Sequence, residues 1–97
     1  MKLIHITFHF EFTEAIEEIL NEQEIQNYVR FGMMQGRDRD GRLMGNQAFP
    51  GSITVIQAQV PDEQTGSVLE ALSRFRQAKE AHQHLEALVL PVEDRLA

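Results

Sequence analysis

Between Lys2 and Phe10 the apolar residues Ile4, Ile6, Phe8 and Phe10 alternate with His5, Thr7 and His9, and immediately afterwards the period changes. Strict alternation makes a strand with two unlike faces. Phe12, Ala15, Ile16, Ile19 and Leu20 then fall at i, i+3, i+4, i+7 and i+8, a single helical stripe. Thr13 is placed to cap that helix, Glu14, Glu17 and Glu18 complement its positive end, and it is expected to run from Thr13 to about Asn21. The remaining face, with Glu14, Glu17, Glu18 and Glu22, reads as a solvated surface.

Ile25, Tyr28, Val29 and Phe31 open a second extended run that continues to about Gln35, and Ser52 to Val60, rich in β-branched residues, forms a third. Residues 36–51 between them are polar, glycine-rich and broken by Pro50, and are expected to form a flexible, functional loop without regular structure. Pro61 ends the third strand, and Asp62 offers a cap for a helix carrying Val68, Leu69, Leu72 and Phe75 to about Ala78. His84 to Val92 forms a fourth strand, stopped near Pro91. Met33 and Met34 read as core fillers.

The order βαββαβ predicts an α+β, ferredoxin-like domain spanning residues 1–97, with a four-stranded antiparallel sheet and both helices on one face. At 97 residues the chain holds one such domain. The other face, with Leu3, His5, Thr7 and Val89, is then bare, which predicts burial against further copies. A net charge of −6, from 15 acidic and 9 basic residues, argues against nucleic acid as a partner. Without cysteine there is no thiolate site or disulfide, and no apolar run approaches a membrane span, so a cytoplasmic protein not itself inserted in a membrane is expected.

Four segments, in order and spread over nearly the whole chain, carry a resemblance: Met1-Lys2-Leu3-Ile4, Gly32-Met33-Met34-Gln35-Gly36, Val60-Pro61-Asp62-Glu63 and Val89-Leu90-Pro91-Val92-Glu93. With these the chain resembles the PII-like signal-transduction superfamily, as a short, divergent member. The resemblance implies a homotrimer of ferredoxin-like subunits, a small-molecule effector in the clefts between subunits, and a long loop signalling to a partner such as a membrane transporter. In nucleotide-binding members a glycine-rich segment before the last strand holds phosphates. Here Gln77 to His84 contains no glycine, so an anionic metabolite is as natural an effector as a nucleotide.

The loop also refuses two familiar motifs. Gly36 and Gly41 have P-loop spacing, but Arg42 and Leu43 stand where Lys and Ser or Thr are needed, and Phe49 stands where a calcium loop needs glutamate. What remains is Gly36, Arg37, Arg39 and Arg42, with Lys79 as a further cation, for holding an anion. Asp38, Asp40, Gly41, Leu43, Met44 and Phe49 are the candidate partner-binding residues of the loop.

No cofactor is required by any motif, though histidine leaves a divalent metal open, as in a trimer associated with metal tolerance or efflux. His82 and His84, with Glu80 or Glu86, can form a cluster if the last strand begins early. His5 and His9 lie about 13 Å apart along a strand, so they meet one ion only as symmetry copies on a three-fold axis; otherwise they fill the interface. Either imidazole also suits a general base, but no partner stands at a recognisable spacing, and the chain is read as not an enzyme.

Overall fold

A computed structural model describes residues 1–37, 43–44 and 52–97. Strand β1 (Lys2–His9) leads through a 3-10 turn (Phe10–Phe12) into helix α1 (Thr13–Glu22), and β2 (Tyr28–Met34) follows. A short ribbon, β3 (Gly36–Arg37) against β4 (Leu43–Met44), precedes β5 (Ile53–Val60), α2 (Asp62–Ala78), a second 3-10 turn (Glu80–His82) and β6 (Glu86–Pro91). The main sheet is antiparallel in the order β2-β5-β1-β6. This is the ferredoxin-like βαββαβ arrangement expected from the order of periods.

The alternation of β1 decides what is buried. Ile4, Ile6 and Phe8 face the helices and are fully enclosed with Ile16 and Leu20 of α1, Ile56 and Val60 of β5, and Val68 of α2. Each such side chain contributes about 1.5–3 kcal/mol relative to exposure. Phe10 would continue the pattern, but the chain turns into the 3-10 segment and leaves it half exposed.

Several boundaries differ from the sequence expectation for local reasons. Thr13 is the first helical residue and its hydroxyl donates back to the Phe10 carbonyl at 2.6 Å, so it does not cap α1. Ile25 lies outside β2: it is buried, and its amide donates to the Leu20 carbonyl at 2.8 Å, closing the helix end. Asp62 is likewise the first residue of α2, after Pro61, and its carboxylate meets the Met1 amino group at 2.7 Å. Strand β6 begins at Glu86, two residues later than expected. Val89 pairs with Ile4, which puts it on the helix side of the sheet, while Leu88 and Leu90, paired with His5 and Leu3, take the bare face.

Met33 and Met34 are not core fillers. Between Phe31 and Met34 the pairing with β5 slips, Met33 takes a left-handed backbone (φ 61°), and its side chain is 79% exposed. The loop is also not wholly irregular, because the β3–β4 ladder starts directly after Gln35. Gly36 packs closely there: a Cβ on it would stand 3.3 Å from Ile53 Cδ1, close enough that the isoleucine would have to shift slightly.

Glu17 departs from the solvated-surface reading. Its carboxylate accepts from the Tyr28 hydroxyl at 2.7 Å and from the Arg30 guanidinium, tying α1 to the outer strand β2. The Tyr28 hydrogen bond, with the Arg30 charge, holds the Glu17 carboxyl below its ordinary 4.5, against some burial, and raises the Tyr28 hydroxyl. A depressed carboxyl stabilises the fold above its unfolded pKa and loses that contribution as pH falls through the folded value. Tyr28→Phe is expected to cost about 1 kcal/mol in urea unfolding at neutral pH. The same variant should lose less stability than the wild type when the pH is lowered from 5 to about 3, as the Glu17 linkage requires.

Candidate functional site

The register gathers the loop and the last connection at one end of the sheet. Met34 pairs with Ile53 and Ile53 with His9, so β2, β5 and β1 meet there, and β6 starts close by with Glu86 opposite Thr7. The β3–β4 ribbon leaves this end from the β2 edge. The segment from Lys79 to Leu85 enters it at the β6 edge. Three strand spacings, about 14 Å, separate these edges. Gly36 and Arg37 therefore lie across the sheet from Lys79 within one chain. Arg39, Arg42, Asp38, Asp40, Gly41 and Phe49 lie outside the described residues, and Leu43 and Met44 form the return strand of the ribbon.

The α2–β6 connection is closed upon itself. The amides of His82, Gln83 and Leu85 donate to the carbonyls of Lys79, Glu80 and His82, each at 3.1 Å. The side chains finish the last turn of α2, which would otherwise end in unpaired carbonyls. His82 Nδ1 donates to the Phe75 carbonyl at 2.7 Å, and Gln83 Nε2 donates to that of Arg76 at 2.9 Å. The His82 ring is only 7% exposed, stacked on Phe75 at 3.9 Å and 5° and meeting the Phe12 edge at 4.7 Å. A phosphate nest needs free amides, and the three named here are engaged.

This closure corrects the expected His82 and His84 cluster. His82 serves the helix end, His84 is exposed in the approach to β6, and no group of three potential His, Cys, Asp or Glu ligands occurs among the described residues. His9 also has local work: its Nδ1 accepts from the Glu11 amide at 3.4 Å, and its ring packs on Phe10 and Phe12. No sequence signal marked His82 and Gln83 as caps, since their partners lie seven residues away across a turn.

The helix-free face is ordered in rows. Val29, Gln57, His5 and Leu88 stand in one row across all four strands, and Phe31, Val55, Thr7 and Glu86 in the next. Val29, Phe31, Leu88 and Leu90 are 56%, 42%, 52% and 45% exposed, so apolar columns occupy both outer strands. The middle strands carry Gln57, Gln59, His5 and Thr7 together with Leu3 and Val55, and Gln57 Nε2 stands 3.3 Å from His5 Nδ1.

His82→Ala removes the donor to Phe75 and the stacked ring together. It is expected to lower stability in chemical denaturation by about 2–3 kcal/mol, and His82→Phe, which keeps a ring, by about 1–2 kcal/mol.

No family model matches the chain, and no curated protein matches it in sequence. Solved structures do match in shape. CPII of Thiomonas intermedia K12, a nitrogen regulatory PII-like protein solved with ADP, AMP and bicarbonate, superposes with a TM-score of 0.72 at 22% identity, over 91% of this chain and 86% of that one. The same protein with ADP and bicarbonate gives 0.74 at 22% identity, over 92% and 82% of the two chains. A DUF3240 family protein of Shewanella baltica OS155 gives 0.73 at 16% identity, over 99% and 93%. With its element order, sheet topology and ribbon placed as described, the chain has the fold of the PII-like proteins.

Proposed function

We propose that this chain is the subunit of a PII-like trimeric regulatory protein, which binds a small anion in the clefts between subunits and signals occupancy through residues 36–51 to a partner such as a membrane transporter. The observation that carries the reading is the pair of apolar columns at opposite edges of the helix-free face. A closed ring, in which the β2 edge of each copy meets the β6 edge of the next, buries both and turns the middle strands inward.

Cyclic symmetry keeps the same ends together. The ribbon base of one copy, with Gly36 and Arg37, then lies beside Lys79 of its neighbour, so cations separated in one chain become the walls of a shared cleft. Arg39 and Arg42 follow in the same loop. The engaged amides of the α2–β6 connection favour bicarbonate or a small carboxylate over a nucleotide, although CPII holds both kinds of ligand. Asp38, Asp40, Gly41, Leu43, Met44 and Phe49 supply the loop's contacts to the partner, and the trimer acts in the cytoplasm without catalysis.

Light scattering after size exclusion is expected to give a trimer, and Val29→Asp or Leu88→Asp a folded monomer. In thermal shift, bicarbonate or small carboxylates should raise the melting temperature, because a ligand binding only the folded state stabilises it. Arg37→Ala and Lys79→Ala should each abolish the rise. Mixing the two variants through unfolding and refolding should restore it in about a quarter of the clefts, the fraction that random assortment leaves intact. Removal of residues 39–49 should spare the trimer and end partner capture. A tight response to ATP indifferent to Arg37 and Lys79 contradicts the proposed cleft.

A further inference from the structure

We infer that three copies of His5 form a site for a divalent cation of the zinc class on the axis of the trimer. The inference rests on the trimeric reading above and goes beyond it, because neither the clefts nor the loop takes part. His5 stands on β1, one of the two middle strands, in the row Val29, Gln57, His5, Leu88. When the apolar columns at the two ends of that row are consumed by neighbouring copies, its middle faces the axis.

The dimensions fit. Four strands about 4.8 Å apart make a side of roughly 19 Å, and the axis of a three-sided prism of that width lies about 5.5 Å above each sheet. An imidazole reaches roughly 4.5 Å from its Cα and a zinc–nitrogen bond adds about 2 Å, so the reach is about 6.5 Å. His5 is displaced from the midline by half a strand spacing, about 2.4 Å, which lets three rings approach the ion as a propeller. Leu88 and Val29, the remaining members of the row, bring no competing ligand.

Gln57 provides the second half of a metal-binding histidine. A ligating imidazole donates its other N–H to an oxygen that fixes its tautomer and direction. As placed, Gln57 Nε2 stands 3.3 Å from His5 Nδ1. A half-turn of the Gln57 amide exchanges its nitrogen for Oε1, which then accepts from His5 Nδ1–H and leaves the lone pair on the ring's Nε2. His9 is unsuited to the same task, as its Nδ1 accepts from the Glu11 amide and its ring packs between Phe10 and Phe12. Three neutral imidazoles leave a fourth tetrahedral position for water.

Zinc binding by the purified wild-type protein, measured by calorimetry with light scattering on the same samples, tests the site. Saturation at one ion per three chains is expected. Cobalt in place of zinc should show the intense visible bands of tetrahedral coordination. His5→Ala should abolish binding while leaving circular dichroism unchanged, Gln57→Leu should weaken it about 10- to 100-fold, and His84→Ala should leave it unaltered. A stable trimer that binds no zinc, or binds it equally in His5→Ala, overturns the axial site and leaves the trimeric reading standing. A monomer overturns both.

Discussion

Two helices cover one face of a four-stranded sheet, and among the described residues no further helix or strand covers the other. That constraint governs the rest of the molecule. On the covered side the alternation of β1 is answered by α1 and α2, and Ile4, Ile6 and Phe8 are sealed from water. The uncovered side keeps the same alternation with a mixed composition: Val29, Phe31, Leu88 and Leu90 on the outer strands beside Glu86, and His5, Thr7, Gln57 and Gln59 within, beside Leu3 and Val55. A face meant for water needs no leucine or valine at its rims, and one meant for a flat apolar partner gains nothing from Gln57, His5 and Thr7 in its middle. The proposed ring of copies would satisfy both parts.

The same constraint gives the two irregular segments their meaning. The ribbon and the α2–β6 connection leave the same end of the sheet from opposite edges. Their local chemistry differs accordingly. In the connection the amides of His82, Gln83 and Leu85 are engaged, and its turn is fastened to α2 by His82 and Gln83. The connection can present a wall, with Lys79 at its start. The β2 side carries a bulge, a left-handed Met33 and exposed Met34 just before the ribbon, strain and apolar surface that the core does not use.

Much of this architecture was legible in the sequence because periodicity reports burial directly. The change from period two to 3.6 at Phe12, and the helical spacing of Val68, Leu72 and Phe75, located the elements and their order. Register was harder to read. Val89 was expected on the bare face, but the last strand is apolar on both faces, so its sequence does not say which side each residue takes, and only pairing with Ile4 decides the matter. The side-chain contacts of Glu17 with Tyr28 and Arg30, and of His82 with Phe75, were illegible for a different reason. They join elements that meet only after folding, and no local preference marks them. Of the candidate site, Gly36, Arg37 and Lys79 fall at one end of the sheet, but the arginines and aspartates at 38–42 lie outside the described residues.

The central claim is that unlike edges of the same face meet between copies, at matching height. The chain has no cysteine, so a pair can be introduced without interference. Val29 and Leu88 share a row and stand at the two edges. Oxidising the double variant Val29→Cys, Leu88→Cys and resolving it on a denaturing, non-reducing gel measures which edges touch. The account predicts a covalent trimer from the double variant and no cross-linked species from either single variant. Covalent dimers from Val29→Cys alone or Leu88→Cys alone, formed as efficiently as any product of the double variant, would contradict it.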